Sequence, residues 1–170
     1  MKILTVSGST RIDSTNIRLL NALPTLMPAR NFQHYDSLAA LPLFQAESDK
    51  YPWPEAVLLW RKAVADADAL IISTPEYIHN MPALLKNALE WLTSSGELAQ
   101  KRVLPITFTP HEPRGERAMQ SLLWSLQALD ARIVAQLPLF QNEVVFGENG
   151  QLQWNEAVEM VVAAVEELFN

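Results

Sequence analysis

Met1-Lys2-Ile3-Leu4-Thr5-Val6-Ser7-Gly8-Ser9-Thr10-Arg11-Ile12-Asp13-Ser14-Thr15-Asn16 and Asp68-Ala69-Leu70-Ile71-Ile72-Ser73-Thr74-Pro75-Glu76-Tyr77-Ile78-His79-Asn80 share one layout. Each opens on a short apolar run that reads as a buried parallel strand, continues as a polar loop and passes into a helical pattern. After the first, Ile17, Leu20, Leu23 and Leu26 recur at helical spacing from about Thr15. After the second, Met81, Leu84, Leu85, Ala88, Leu89 and Leu92 do so from Pro82, a favoured first-turn proline. Strand and helix alternating along the chain predict a parallel sheet with helices on both faces. In an open sheet of order 2-1-3-4-5 the strand order reverses between strands 1 and 3, and ligands bind outside the carboxyl ends of the strands there. These two loops are the ones such a sheet brings to that reversal.

Outward from this pair, residues 31–36 alternate as a short edge strand, and 55–66 and 116–129 read as helices. Residues 101–109 read as a fourth strand in which Pro105 predicts a bulge, because an interior proline removes a ladder donor. A fifth strand starts over 132–137, a Gly147-Glu148-Asn149-Gly150 turn follows, and Val158, Val161, Val162, Val165, Leu168 and Phe169 mark a closing helix over 155–169. The connection 37–54 carries Leu38, Leu41, Leu43, Phe44, Tyr51 and Trp53 and is too apolar for a linker. It is expected to wall the ligand cleft or a subunit contact. No repeat or composition shift divides the 170 residues, which suit a single domain.

A net charge of −6 without a dense Lys/Arg block argues against a nucleic-acid surface. The apolar runs fall short of the roughly 20 residues of a membrane span, and the chain opens on a strand rather than a leader, so a soluble protein is expected. The absence of cysteine removes disulfides, zinc–thiolate sites and Fe–S clusters and agrees with a reducing compartment, the cytoplasm being the default. Trp91 and Trp124 fall beside the main stripes of their helices, which points to burial against another subunit. The alternative is that each lies in the rim of its own core.

The first loop reads as an anion cradle. Free N–H groups at a helix start, together with the helix dipole, favour a negative charge. Arg11 can fork two oxygens, and Ser9, Ser14 and Asn16 are neutral donors. The alternative is that Ser14 or Thr15 only caps the helix. Neither G-x-G-x-x-G nor G-x-x-x-x-G-K-[ST] is present among only 5 glycines, so a monophosphate held by side chains fits better than a dinucleotide or P-loop site. The second loop is a tight bend whose backbone N–H groups and Tyr77 suit a flat heterocycle, or whose Tyr77 and Met81 merely cover the sheet edge. His34, His79 and His111 are too far apart for a metal pair. With no G-x-S-x-G and no thiol, an enzyme built this way needs a cofactor.

G-S-T-R-x-x-S-x-N over 8–16 and P-E-Y-x-x-x-x-P-A-L-L-K-N-A-L-E-W-L over 75–92 resemble the NAD(P)H-dependent FMN reductase family, whose members include quinone, chromate and azo-dye reductases. The likeness runs from Lys2 to about Val134. It implies a flavodoxin-like three-layer sandwich with a five-stranded parallel sheet of order 2-1-3-4-5. It also implies FMN as cofactor, NAD(P)H as co-substrate, a small-molecule electron acceptor, and a homodimer or homotetramer. Carried over, the pattern puts the FMN phosphate on Ser9, Arg11, Ser14 and Asn16 with Thr15 beside them, and the isoalloxazine along Pro75, Glu76 and Tyr77, with Ile78 and Asn80 completing the bend. Hydride chemistry then belongs to the flavin N5, and no catalytic acid or base is required.

Two positions depart from the family. Ile78 stands where many members carry Asn, leaving only its backbone N–H. Thr109-Pro110-His111-Glu112-Pro113-Arg114-Gly115-Glu116-Arg117 replaces the usual glycine-rich turn. There the donors left are Thr109, His111, Arg114 and the N–H of Gly115, and Arg114 is expected near flavin O2 or, alternatively, paired with Glu112 or Glu116 in solvent. On the same fold, an FMN-binding electron carrier or an FMN-free phosphate-ligand binding protein would lack nicotinamide turnover.

Overall fold

Strand β1 (Lys2–Ser7) and strand β3 (Ala69–Thr74) are apolar almost throughout because both of their faces are covered: every residue of β3 is buried. In the computed structural model, which describes residues 1–170, they sit at the centre of one parallel sheet. With β2 (Asn31–Tyr35), β4 (Arg102–Thr109) and β5 (Arg132–Ile133) the order is β2-β1-β3-β4-β5, and β6 (Leu137–Phe140) also pairs with β4. Alternate residues feed two cores. Leu4, Val6, Leu70 and Ile72 pack under α2 (Glu55–Ala65), α3 (Ala83–Glu90) and α4 (Glu116–Ala128). Ile3, Ala69, Ile71, Leu104 and Ile106 pack under α1 (Thr15–Leu26) and α5 (Glu156–Glu166). The result is the flavodoxin-like three-layer order. The buried stripe of α1 is Leu19, Leu20 and Leu23, with Ile17 and Leu26 half-buried. No helix is long and apolar enough to cross a membrane.

Pro105 forms no bulge: Ile72 pairs with it in unbroken register. In a parallel ladder alternate residues face alternate neighbours. Val134 N–H donates to Val103 O and Gln141 N–H to Thr109 O, so Val103, Pro105 and Thr109 face the outer side of β4. There the fifth strand is split into β5 and β6, and Pro105 lies opposite the break, where no donor is needed.

Trp91 is fully buried in its own chain, which corrects the subunit reading for that residue. Its Nε1–H donates to Pro42 O at 2.8 Å, and its ring meets Phe44 edge-on at 5.1 Å. Asn87 holds the same segment from both sides, donating to Pro42 O and accepting from Phe44 N–H. Farther along, the buried pair of Arg61 with Asp49, 2.6 Å apart, ties the connection to α2, while Arg61 Nε donates to Trp91 O. The connection 37–54 is thus a packed strap over α2 and α3. Trp124 stands 64% exposed on α4.

Candidate functional site

The loop after β1 leaves the sheet at Gly8, whose N–H donates to Ser73 O. A Cβ at Gly8 would lie 2.8 Å from Thr74 Oγ1 and 2.9 Å from Leu85 Cδ2, so only glycine lets the chain pass between β3 and α3. Beyond it the hydroxyl oxygens are taken as acceptors. Ser7 Oγ accepts from Ser9 N–H, Ser9 Oγ from Arg11 N–H, Ser14 Oγ caps α1 by accepting from Ile17 N–H, and Thr15 Oγ1 accepts from Gln141 Nε2. Each O–H remains free to donate outward. The backbone N–H groups of Thr15 and Asn16, in the first turn of α1, have no acceptor within the protein. Arg11 makes no ion pair. The loop is therefore rich in donors, and its cap and its anion-binding capacity coexist.

Asn16 departs from the sequence reading. Its Oδ1 accepts from Ser73 Oγ at 2.7 Å and its Nδ2 donates to Phe108 O at 3.2 Å, so the buried side chain is a strut between β3 and β4. Only its backbone N–H faces the loop's task.

The loop after β3 closes through reciprocal Tyr77 and Asn80 backbone bonds, with Ile78 and His79 both left-handed at φ 50° and 55°. That is the geometry of a two-residue I′ turn. Asn80 Oδ1 accepts from Met81 N–H at the entry to α3. Glu76 also departs from the reading. Its Oε2 accepts from the N–H groups of Gly115, Arg117 and Ala118 at 3.1, 3.1 and 3.2 Å, and its side chain is 8% exposed. The carboxylate is turned into the start of α4, where helix N–H groups and dipole favour it, rather than toward a ring. His79 Nδ1 lies 3.6 Å from its other oxygen.

In the loop after β4, Thr109 Oγ1 donates to Arg114 O, and Gly115, at φ 106°, opens α4 with no room for a Cβ beside Thr107. Arg114 pairs with neither Glu112 nor Glu116. His111 turns its Nδ1 to Glu112 O at 2.9 Å, and neither it nor Asn80 lines the cleft between these loops or the one beside it.

These three loops enclose a cleft of about 260 Å³. Ser9, Arg11, Asp13, Ser14, Thr15 and Asn16 form one wall, Pro75, Glu76 and Tyr77 a second, and Phe108, Thr109, Pro110 and Arg114 a third, with Gln141 beside Thr15. Asp13, Phe108 and Gln141 were not singled out as ligand residues from sequence, whereas Thr109 and Pro110 belong to the 109–117 loop expected there. Phe108 and Gln141 both lie at carboxyl ends of strands, and that rule alone identifies them. A neighbouring cleft of about 320 Å³ shares Glu76 and Arg114 and adds Ile78, His79, Pro113, Glu116 and Arg117. A smaller hollow beyond Arg11 includes His34, Tyr35 and, from the strap, Leu38 and Ala39. The strap does not wall the main cleft. Burial pushes the His34 imidazole below its ordinary value, against Asp36 and a hydrogen bond with Thr5. No three His, Asp or Glu side chains gather as a metal site.

A family model described as NADPH-dependent FMN reductase matches residues 1–143. The quinone reductase of Escherichia coli (strain K12) is 32% identical over 149 residues, covering 85% of this chain and 79% of that protein. The 2-hydroxy-1,4-benzoquinone reductase of Burkholderia sp is 42% identical over 91 residues, 54% of this chain and 49% of that protein, so there the chain spans about half of its relative. Among solved structures, a flavoenzyme NAD(P)H:(acceptor) oxidoreductase from Paracoccus denitrificans superimposes with a TM-score of 0.79 at 22% identity, covering 99% of this chain and 97% of that one. A flavodoxin variant from Pseudomonas aeruginosa does so with a TM-score of 0.64 at 15% identity over the whole of both chains. At these identities the two structures speak to fold alone.

Proposed function

The chain belongs to the NADPH-dependent FMN reductase family, and from that premise we propose that it holds FMN in the cleft between the three strand-end loops and reduces small acceptors, such as quinones, at the expense of NAD(P)H. The observation that carries this reading is the surplus of donors over 9–16. Free N–H groups at Thr15 and Asn16, outward O–H groups on Ser9, Ser14 and Thr15, and an Arg11 without an acid partner match the acceptor-only oxygens of a phosphate monoester. When bound, FMN supplies a ring that accepts hydride and releases electrons.

The chain's own residues do the rest. Pro75, Tyr77 and Pro110 give the otherwise polar cleft part of its carbon surface, against which a flat ring would lie. Arg114, unpaired on the third wall, holds a positive charge at the cleft and would stabilise negative charge on a reduced ring bound there. Glu76 fixes the second and third walls to each other. The same reading makes the working unit a homodimer or homotetramer in the cytoplasm, with exposed Trp124 in support of a helix-face contact.

Titration by flavin fluorescence tests the site. FMN is expected to bind more tightly than riboflavin, and Arg11→Ala to weaken FMN by about 1.5–3 kcal/mol, the scale of a hydrogen bond to a charged group. Equal affinity for riboflavin and FMN would reduce the loop to a helix cap. Bleaching of bound flavin by NADPH, with reoxidation by an acceptor, separates the enzyme from an electron carrier. Absence of any bound flavin selects an FMN-free binding protein instead.

A further inference from the structure

Ile78 is in the wrong place for the stability of this fold. At φ 50° it occupies the left-handed region, which a β-branched side chain rarely enters. Two-residue turns of this kind favour Asn-Gly, which meet both positive φ angles without strain. The side chain gains nothing from the protein in return, being 98% exposed. Asn would serve the backbone and the solvent better. Strain of this kind persists at ligand sites, where a bound partner draws on it.

The position of the residue says which partner. Ile78 and Pro113 are the carbon surface of the cleft between the 77–80 turn and the loop after β4, whose other walls carry Arg114 and Arg117 with His79, Glu116 and Glu76, the last turned to the start of α4. Neither arginine is in an ion pair. The cleft shares Glu76 and Arg114 with the donor-lined cleft, so a molecule seated here lies against the place assigned to FMN. An apolar face for Ile78 and Pro113, with acceptor oxygens for guanidinium N–H groups, describes an apolar quinone. We propose that Ile78 is an acceptor-specificity residue, its side chain covering the apolar face of a quinone in this second cleft; the proposal rests on the FMN reductase reading. In the net reaction NAD(P)H contributes a hydride and solvent one proton, and the two electrons and two protons convert both quinone carbonyls to the hydroxyls of a hydroquinone.

The test compares Ile78→Asn and Ile78→Leu with wild type, using menadione as the apolar quinone and ferricyanide as a polar acceptor that offers no ring. The ratio of kcat/KM for menadione to that for ferricyanide is expected to fall about tenfold in Ile78→Asn, the loss of one buried aliphatic side chain, and to stay within about twofold in Ile78→Leu. Without any ligand, Ile78→Asn should melt a few degrees higher than wild type, since the left-handed turn is relieved. A ratio that stays within twofold in Ile78→Asn overturns the proposal, and if sedimentation shifts as well the residue belongs to a contact between copies. Wild-type protein that oxidises neither NADPH nor NADH with either acceptor overturns the reductase reading and this proposal with it. Turnover with both acceptors and an unchanged ratio removes the Ile78 assignment alone.

Discussion

Replacing Glu76 by alanine should loosen two of the three cleft walls at once. The Glu76 Oε2 accepts three N–H bonds from the start of α4. Side-chain caps of helix N-termini contribute about 0.5–2 kcal/mol, and a negative charge at that end adds about 0.3–1 kcal/mol through the helix dipole. Arg117 N–H is at the surface and water can replace its bond, whereas those of Gly115 and Ala118 are partly buried. Glu76→Ala is therefore expected to cost about 2–3 kcal/mol, and Glu76→Gln, which keeps an acceptor and loses the charge, about 0.5–1 kcal/mol. Urea unfolding of the flavin-free protein measures both. For a domain of this size the alanine variant should melt about 4–12 °C lower. FMN affinity should fall with it, because the loop that carries Thr109, Pro110 and Arg114 loses its anchor to the 75–80 bend. A Glu76→Ala protein within about 0.5 kcal/mol of wild type would refute the reasoning, since water would then be capping α4 as well as the carboxylate does.

Asp49→Ala should destabilise the protein by about 3–5 kcal/mol, because it strands the buried Arg61 guanidinium without its charge partner; chemical denaturation reads the loss, and a loss below about 1 kcal/mol would mean that Ser94 and Trp91 O satisfy Arg61 unaided. His34 predicts a pH dependence. Burial holds its folded value below 6.5, so the unfolded chain binds more protons; the stabilisation is complete above the unfolded value and is lost as pH falls through the folded one. His34→Gln should flatten the fall in stability between about pH 7.5 and 5.5, by no more than about 1.4 kcal/mol per pH unit, the limit for one proton. Parallel pH profiles in the two proteins would assign that slope to other groups.

The strands, the helices and the two strand-end loops were legible because each rests on local pattern: an apolar run, a helical stripe, a cap; the sheet order came with the family resemblance. Ser14 as N-cap and Pro82 at the entry to α3 follow from rules that span a few residues. What sequence concealed depends on contacts far along the chain. Glu76 reaches the start of α4, whose N-cap Gly115 lies 39 residues later, and no spacing rule links the bend to that helix. Asn16 reads as a phosphate donor from its place in a polar loop, yet its side chain is spent on Ser73 and Phe108. Trp91 looks peripheral on a helical wheel because the wheel omits the strap that supplies Pro42 O and Phe44. Pro105 signals a bulge only if its outer neighbour is continuous, and here that neighbour is broken.

That break has a consequence for how copies of the chain can meet. Gln141 N–H points to β4, so along β6 Leu137 and Leu139 face inward and Pro138 faces out, taking away a donor from the rim of the sheet. An interrupted rim with an outward proline offers no template on which a foreign strand can zip. The sheet ends there by construction; β2 is its other edge, and among the helical faces the one large exposed ring of α4 is Trp124.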